Sequence, residues 1–133
     1  MMWIPYKQIR EHEPDFRARY KFFSQEEGGR KNLPRQGYRS DFFYDGDNLK
    51  DGIYMIHPEF EDASGNIMLD DKIPVSSEGT ARMWIIIPEM RKMVHINKIS
   101  IGVRGYFMEG SRKVAVAEVI EILGLHSNAE ILI

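Results

Sequence analysis

Apolar side chains recur at every second position over residues 16–22: Phe16, Ala18, Tyr20 and Phe22 alternate with Arg17, Arg19 and Lys21. Period two predicts a β-strand with one face in the core and one in water, because successive side chains of an extended chain point to opposite sides. All three basic residues fall on the wet side. After a polar break at Ser24-Gln25, a second aromatic-rich run, Tyr38 to Tyr44, is bounded by Gly37 and Gly46 and predicts another strand. Gly28-Gly29, between the two, supplies positions that take positive φ without a Cβ clash.

The pattern continues in short pieces. Ile53 to His57 is an apolar run stopped by Pro58, and Ile67-Met68-Leu69 follows a hairpin-like turn at Ser64-Gly65-Asn66. Residues 81–87 put Met83, Ile85 and Ile87 on one face and Trp84 and Ile86 on the other, which predicts a strand covered on both sides or carrying a contact surface. Over 98–108, Ile99, Ile101, Val103, Gly105 and Phe107 share a face. After a turn at Gly110, the run 112–123 changes phase around Glu118, which a bulge or bend would reconcile. Pro5 and Pro14 bracket at most a short helix, and no helix of ordinary length is predicted. The tail from His126 ends in Ile131-Leu132-Ile133, suited to an extra edge strand within the molecule or across a dimer. Many short strands without βαβ alternation imply an all-β sandwich or barrel. The expected organisation is an arm over 1–15, a β-domain over 16–123 and a tail over 124–133.

Two motifs narrow this further. Ser24, Glu26, Glu27, Gly28, Gly29 and Arg30, followed by Gly37, Tyr38, Arg39 and Phe42, form S-x-E-E-G-G-R then G-Y-R-x-x-F. This resembles the opening of the C-terminal (third) β-barrel domain of bacterial elongation factor Tu. Glu109-Gly110-Ser111-Arg112-Lys113-Val114, with an apolar strand after it, is similar to that domain's last hairpin. The resemblance implies a six-stranded antiparallel Greek-key barrel over residues 16–123, without the GTPase domain. It also implies a role beside tRNA, since that domain of the factor holds the T-stem backbone of aminoacyl-tRNA. The matching positions are Arg30, Lys31, Arg39, Glu109, Gly110 and Arg112. The sequence departs from the family where Lys31-Asn32-Leu33-Pro34-Arg35-Gln36 lacks an aromatic pair and where Ser40-Asp41 stands in place of Pro-Gln after Gly37-Tyr38-Arg39.

At 133 residues the chain is one domain with room for a core. Cysteine is absent, which removes disulfides, thiolate metal sites and cysteine nucleophiles. No run is long enough to span a membrane, the start lacks the marks of a signal peptide, and a cytoplasmic location is expected. The net charge of −2 argues against a generic nucleic-acid binder, but the charge is unevenly spread. Residues 1–40 hold nine basic and five acidic side chains, whereas residues 41–80 hold two and ten. That acidic middle suits a surface that meets a basic partner.

Catalytic signals are weak. The acid pairs Glu26-Glu27, Asp70-Asp71 and Glu59-Glu61-Asp62 lie in polar, turn-rich sequence rather than in the enclosed setting that raises a catalytic pKa. His12, His57, His95 and His126 are scattered without metal-ligand spacing. The phosphate-loop frame is missing, so neither nucleotide nor cofactor is expected. The leading expectation is a non-enzymatic protein-binding module, a mimic or an immunity-type protein, with Glu59, Glu61, Asp62, Asp70, Asp71 and Trp84 as its partner surface. The alternatives are an RNA-binding accessory of translation through the six motif residues, and an enzyme using His57 or His95 as base.

Overall fold

The computed structural model describes residues 2–132. Six strands, β1 (Phe16–Phe22), β2 (Asp41–Tyr44), β3 (Ile56–Phe60), β4 (Glu78–Ile85), β5 (Arg104–Glu109) and β6 (Arg112–Ile122), form one sheet in the order β2-β5-β6-β1-β4-β3. Every neighbouring pair is antiparallel. Three short helices accompany it: α1 (Tyr6–Arg10), α2 (Met90–Met93) and α3 (Leu125–Ile131). None of the described helices is long and apolar enough to cross a membrane.

The alternation in β1 appears as written: Phe16, Ala18, Tyr20 and Phe22 are buried, Arg19 and Lys21 exposed. The buried row feeds an aromatic core. Tyr20 stacks edge-on against Phe60 at 5.1 Å between ring centroids, and Phe22 against Phe107 at 5.9 Å. Such pairs add about 0.5–1.5 kcal/mol each beyond their burial. The phase change in the last strand is absorbed at Ile120, which has no partner in the β1 register between the Arg17–Glu121 and Ala18–Val119 pairs.

The closed barrel is corrected. The sheet curls into an open half-barrel whose edge strands stand 6 Å apart, unlike the closed six-stranded third domain of elongation factor Tu. Among the described residues one isolated bridge, Phe42 to Tyr54, spans the gap, with an N–H donated to a carbonyl at 2.8 Å in each direction. The physical reason lies in the edges. β2 has four residues and β3 five. The buried side chain of Gln36 then occupies the β3 edge: its Nε2 donates to the carbonyls of Phe60 and Met68, and its Oε1 accepts from Phe60 N–H, all at 2.8 Å. A carboxamide thus fills the position a pairing strand would take, one of the ways proteins blunt a sheet edge.

Three local expectations change as well. β3 runs through Pro58 rather than stopping before it, as an edge strand tolerates a missing N–H. β5 begins only at Arg104, because Ser100–Val103 turns at Gly102 (φ 95°), and this leaves Ile101 70% exposed. The tail is helical, not an edge strand. Asn128 fixes α3 by donating from Nδ2 to the Glu13 carbonyl at 2.8 Å and to Asp15 Oδ1 at 3.0 Å, while Leu125 and Ala129 are buried. Of the tail's apolar end, Ile133 lies outside the described residues, as does Met1 of the arm.

Candidate binding surfaces

The two motif loops meet at one end of the sheet. Ser24 and Glu27 cap each other: Ser24 N–H donates to Glu27 Oε1 at 2.8 Å and Glu27 N–H to Ser24 Oγ at 3.2 Å. Gly28 takes the left-handed conformation (φ 95°), and a Cβ on Gly29 would lie 2.0 Å from the Phe23 carbonyl oxygen. The S-x-E-E-G-G string is therefore a reciprocal capping turn closed by two glycines, a local solution that many folds can use. The turn sends Arg30 onto Glu109. Arg30 pairs with that carboxylate and lies over the Tyr38 ring at 5.0 Å, Tyr38 Oη donates to the same carboxylate, and Arg112 stands 3.3 Å from its other oxygen. Burial raises the pKa of Glu109, but the hydrogen bonds from Tyr38 and Arg30 outweigh it and hold the carboxyl below its usual range. Arg30, Glu109 and Arg112 are brought together, and Gly110 makes the adjoining turn (φ 60°). Lys31 is exposed nearby in sequence. Arg39 is elsewhere, beside Tyr6 and His57: burial raises the Tyr6 pKa against the opposing charges of Arg10 and Arg39, and the same two charges add to the effect of burial on His57.

The acidic set divides in two. Glu59 and Trp84 point out from the sheet, but the N-terminal arm covers them. Glu59 accepts from Trp3 Nε1 at 2.7 Å, Tyr6 N–H at 2.8 Å and Trp84 Nε1 at 3.0 Å. Tyr6 packs edge-on against Trp84, and Arg10 lies 4.3 Å above the Tyr6 ring. Glu61 is also engaged, by Arg17 at 2.7 Å, Thr80 Oγ1 at 2.7 Å and Arg82 at 2.9 Å. Burial works against its charge, and these three donors still hold its pKa below the usual carboxylate range. Asp62 and Asp70 remain toward solvent, and Asp71 is half-buried. Asp62 and Asp70 shape their own turns, accepting from the N–H groups of Ser64 and Asn66 and from that of Lys72. The arm bridges here too, Met2 to Asp70, with Trp3 N–H donating to the Leu69 carbonyl at 2.8 Å. Met2, Leu69, Asp70 and Lys72 line a shallow cavity of about 530 Å³. Met2 is 69% exposed and Leu69 39%, so two large apolar side chains stand in water beside the Asp70 carboxylate, and Ile73, three residues on, is 51% exposed.

The histidines singled out as bases are interior. His95 is buried, with Nδ1 2.6 Å from Tyr44 Oη and its ring 4.9 Å from that of Tyr54. Burial, reinforced by Arg91 and Lys98 against the opposing pull of Asp15, pushes its pKa down to about 4. His57 is 7% exposed with Nδ1 unpartnered, and burial followed by the charges of Arg10 and Arg39 brings it to about 4. Both imidazoles are neutral at physiological pH. The buried Asp15–Arg91 pair, 2.6 Å apart, ties the arm to α2, and Asp15 also accepts from Ile85 N–H at 2.8 Å. No group of three or more metal-ligating side chains occurs among the described residues.

One feature escaped the sequence reading. The outer face of β1, β4, β5 and β6 holds a recess of about 410 Å³ whose walls include Arg19, Lys21, Arg104, Glu78 and Glu118. The wet-face alternation of β1 signalled two of these side chains, but Arg104 and Glu118 reach them only through strand pairing.

No known protein family and no curated protein matches this chain. Together with the open sheet, this overturns the identification as an elongation factor Tu third-domain relative, and the description of the chain as a translation protein that rested on it.

Proposed function

We propose that this chain is a non-enzymatic protein-binding module that docks a basic, amphipathic segment of a partner on the surface formed by Met2, Leu69, Asp70, Asp71 and Ile73. The observation that carries the reading is the exposure of Met2 and Leu69 around the outward carboxylate of Asp70, with half-buried Asp71 and exposed Ile73 following in the chain. Water-exposed apolar clusters rimmed by charge are characteristic of contact surfaces. A partner with lysine or arginine flanking apolar residues satisfies both parts. Support also comes from the rest of the ionisable inventory. Asp15, Glu59, Glu61 and Glu109 are saturated by internal donors, and both buried histidines lie away from the cavities described above. Those groups serve the fold.

The test compares capture from native extract by the immobilised wild-type chain, an Asp70→Lys/Asp71→Lys variant and a Met2→Ser/Leu69→Ser variant. The expected result is a partner retained by wild type and lost by both variants, with an Arg30→Ala control retaining it. Equal capture by wild type and both variants would refute the assignment of this surface. Titration of labelled RNA over a range of salt provides the opposing arm: saturable binding that weakens steeply with salt and ignores both variants would replace a protein partner by nucleic acid.

A further inference from the structure

We infer that the recess on the outer face of the sheet binds a small oxyanion, a phosphate or carboxylate group, between Arg19, Lys21 and Arg104. This site is separate from the acidic patch and does not depend on the function proposed for it. Cross-strand register sets its composition. Arg19 on β1 and Arg104 on β5 both stand opposite Glu118 of β6, and Lys21 stands opposite Glu78 of β4. Three cations therefore face two carboxylates, leaving an excess of one positive charge. None of the three cations is within ion-pair distance of a carboxylate among the described residues. Being unpaired is not a general property of this face: Arg17 and Arg82, on the same strands, clamp Glu61 at 2.7 and 2.9 Å.

The recess has the volume of a small-ligand site, about 410 Å³. Its floor combines the half-buried Val116 with buried Ala117, so an apolar surface lies beneath a ring of long charged side chains. Arginine presents a planar fork of donors that matches the two oxygens of a carboxylate or phosphate, and Lys21 adds a mobile point charge. Glu78 and Glu118 accept hydrogen bonds, which favours a ligand carrying hydroxyl or amino groups beside its anion. The rim is open to solvent, so salt screens the attraction and the affinity should be modest and ionic-strength dependent.

The experiment titrates the full-length chain with inorganic phosphate and, separately, with succinate. Both titrations run at ionic strength held constant with sodium chloride and are followed by calorimetry and thermal unfolding. Saturable binding is expected, with a Tm rise of about 4 °C at roughly tenfold the Kd. The Arg19→Gln/Arg104→Gln variant should bind at least tenfold more weakly while unfolding at the wild-type Tm without ligand, since both side chains are exposed. Glu118→Gln should bind several-fold more tightly. Binding of phosphate alone assigns the site to phosphate-bearing ligands, and binding of both anions assigns it to oxyanions generally. The absence of saturable binding up to about 20 mM of either anion would overturn the inference. So would equal binding by wild type and the double variant, which would mean an adventitious ion only.

Discussion

Lowering the pH from 7.5 to 5 should destabilise this protein by about 4 kcal/mol through two histidines. His57 and His95 have an ordinary value of 6.5 and a folded value of about 4. As the pH falls through 6.5 the unfolded chain takes up a proton at each imidazole, whereas the folded chain does not until about 4. Stability is therefore full above 6.5 and declines steadily below it. Integrating the difference in bound protons gives about 2 kcal/mol per histidine at pH 5. Carboxylates do not confuse this window. Glu61 and Glu109 are held below their ordinary 4.5, so their contributions are present above that pH and are lost only as it falls through their folded values. Against a typical domain stability of about 5–15 kcal/mol, the expected loss is large, and for a chain of this length it lowers Tm by roughly 10–15 °C. Urea unfolding at pH 7.5, 6.5, 5.5 and 5.0, followed by the fluorescence of Trp3 and Trp84, measures it directly. His95→Gln retains a hydrogen-bond partner for Tyr44 and should halve the pH dependence. Stability flat to within about 1 kcal/mol from pH 7.5 to 5, or an unchanged slope in His95→Gln, would refute the reasoning.

Gln36→Ala leaves the Phe60 N–H without its acceptor, while the Phe60 carbonyl keeps the Met68 N–H at 3.0 Å, and should cost about 1–3 kcal/mol in urea unfolding. It should also promote concentration-dependent association through the unmasked β3 edge, read by size-exclusion chromatography. Arg91→Ala leaves the buried carboxylate of Asp15 without its cation and should cost about 3–5 kcal/mol, whereas Arg30→Ala at the half-exposed Glu109 pair should cost about 1 kcal/mol or less. Deleting the arm through His12 uncovers Trp84 and Glu59, so the tryptophan emission should shift to the red and cooperative unfolding should weaken. An unshifted spectrum would show that the arm does not seal that face.

The covered face of β4 illustrates how charged and aromatic residues mislead when met one at a time. Trp84 beside apolar neighbours and Glu59 in an acidic run both suggest a surface for a partner. Instead, the partner is the chain's own first turn. Trp3 lies 56 positions before Glu59, and no spacing rule links residues so far apart. Once Glu59 and Glu61 are used internally, the acidic surface contracts to Asp62, Asp70 and Asp71. Its apolar half becomes visible only because Met2 bridges to Asp70.

By itself, the sequence determined the all-β class, the inward row of β1, the turn at Gly28-Gly29 and a phase change in the last strand that the structure places at Ile120. These follow from contacts between residues two to five positions apart, where steric and hydrogen-bonding rules act without knowledge of the rest of the chain. Motif similarity belonged to the same local level: a capping turn ahead of aromatic strands describes how a hairpin begins, not whether a sheet closes. Closure, the covering of Trp84, the helical tail and the meeting of Arg19, Arg104 and Glu118 were decided only by the tertiary structure. Each depends on strand register or on a side chain reaching across the fold, as Gln36 reaches Phe60 over 24 residues, and the free energy of such contacts is set by burial that exists only after folding.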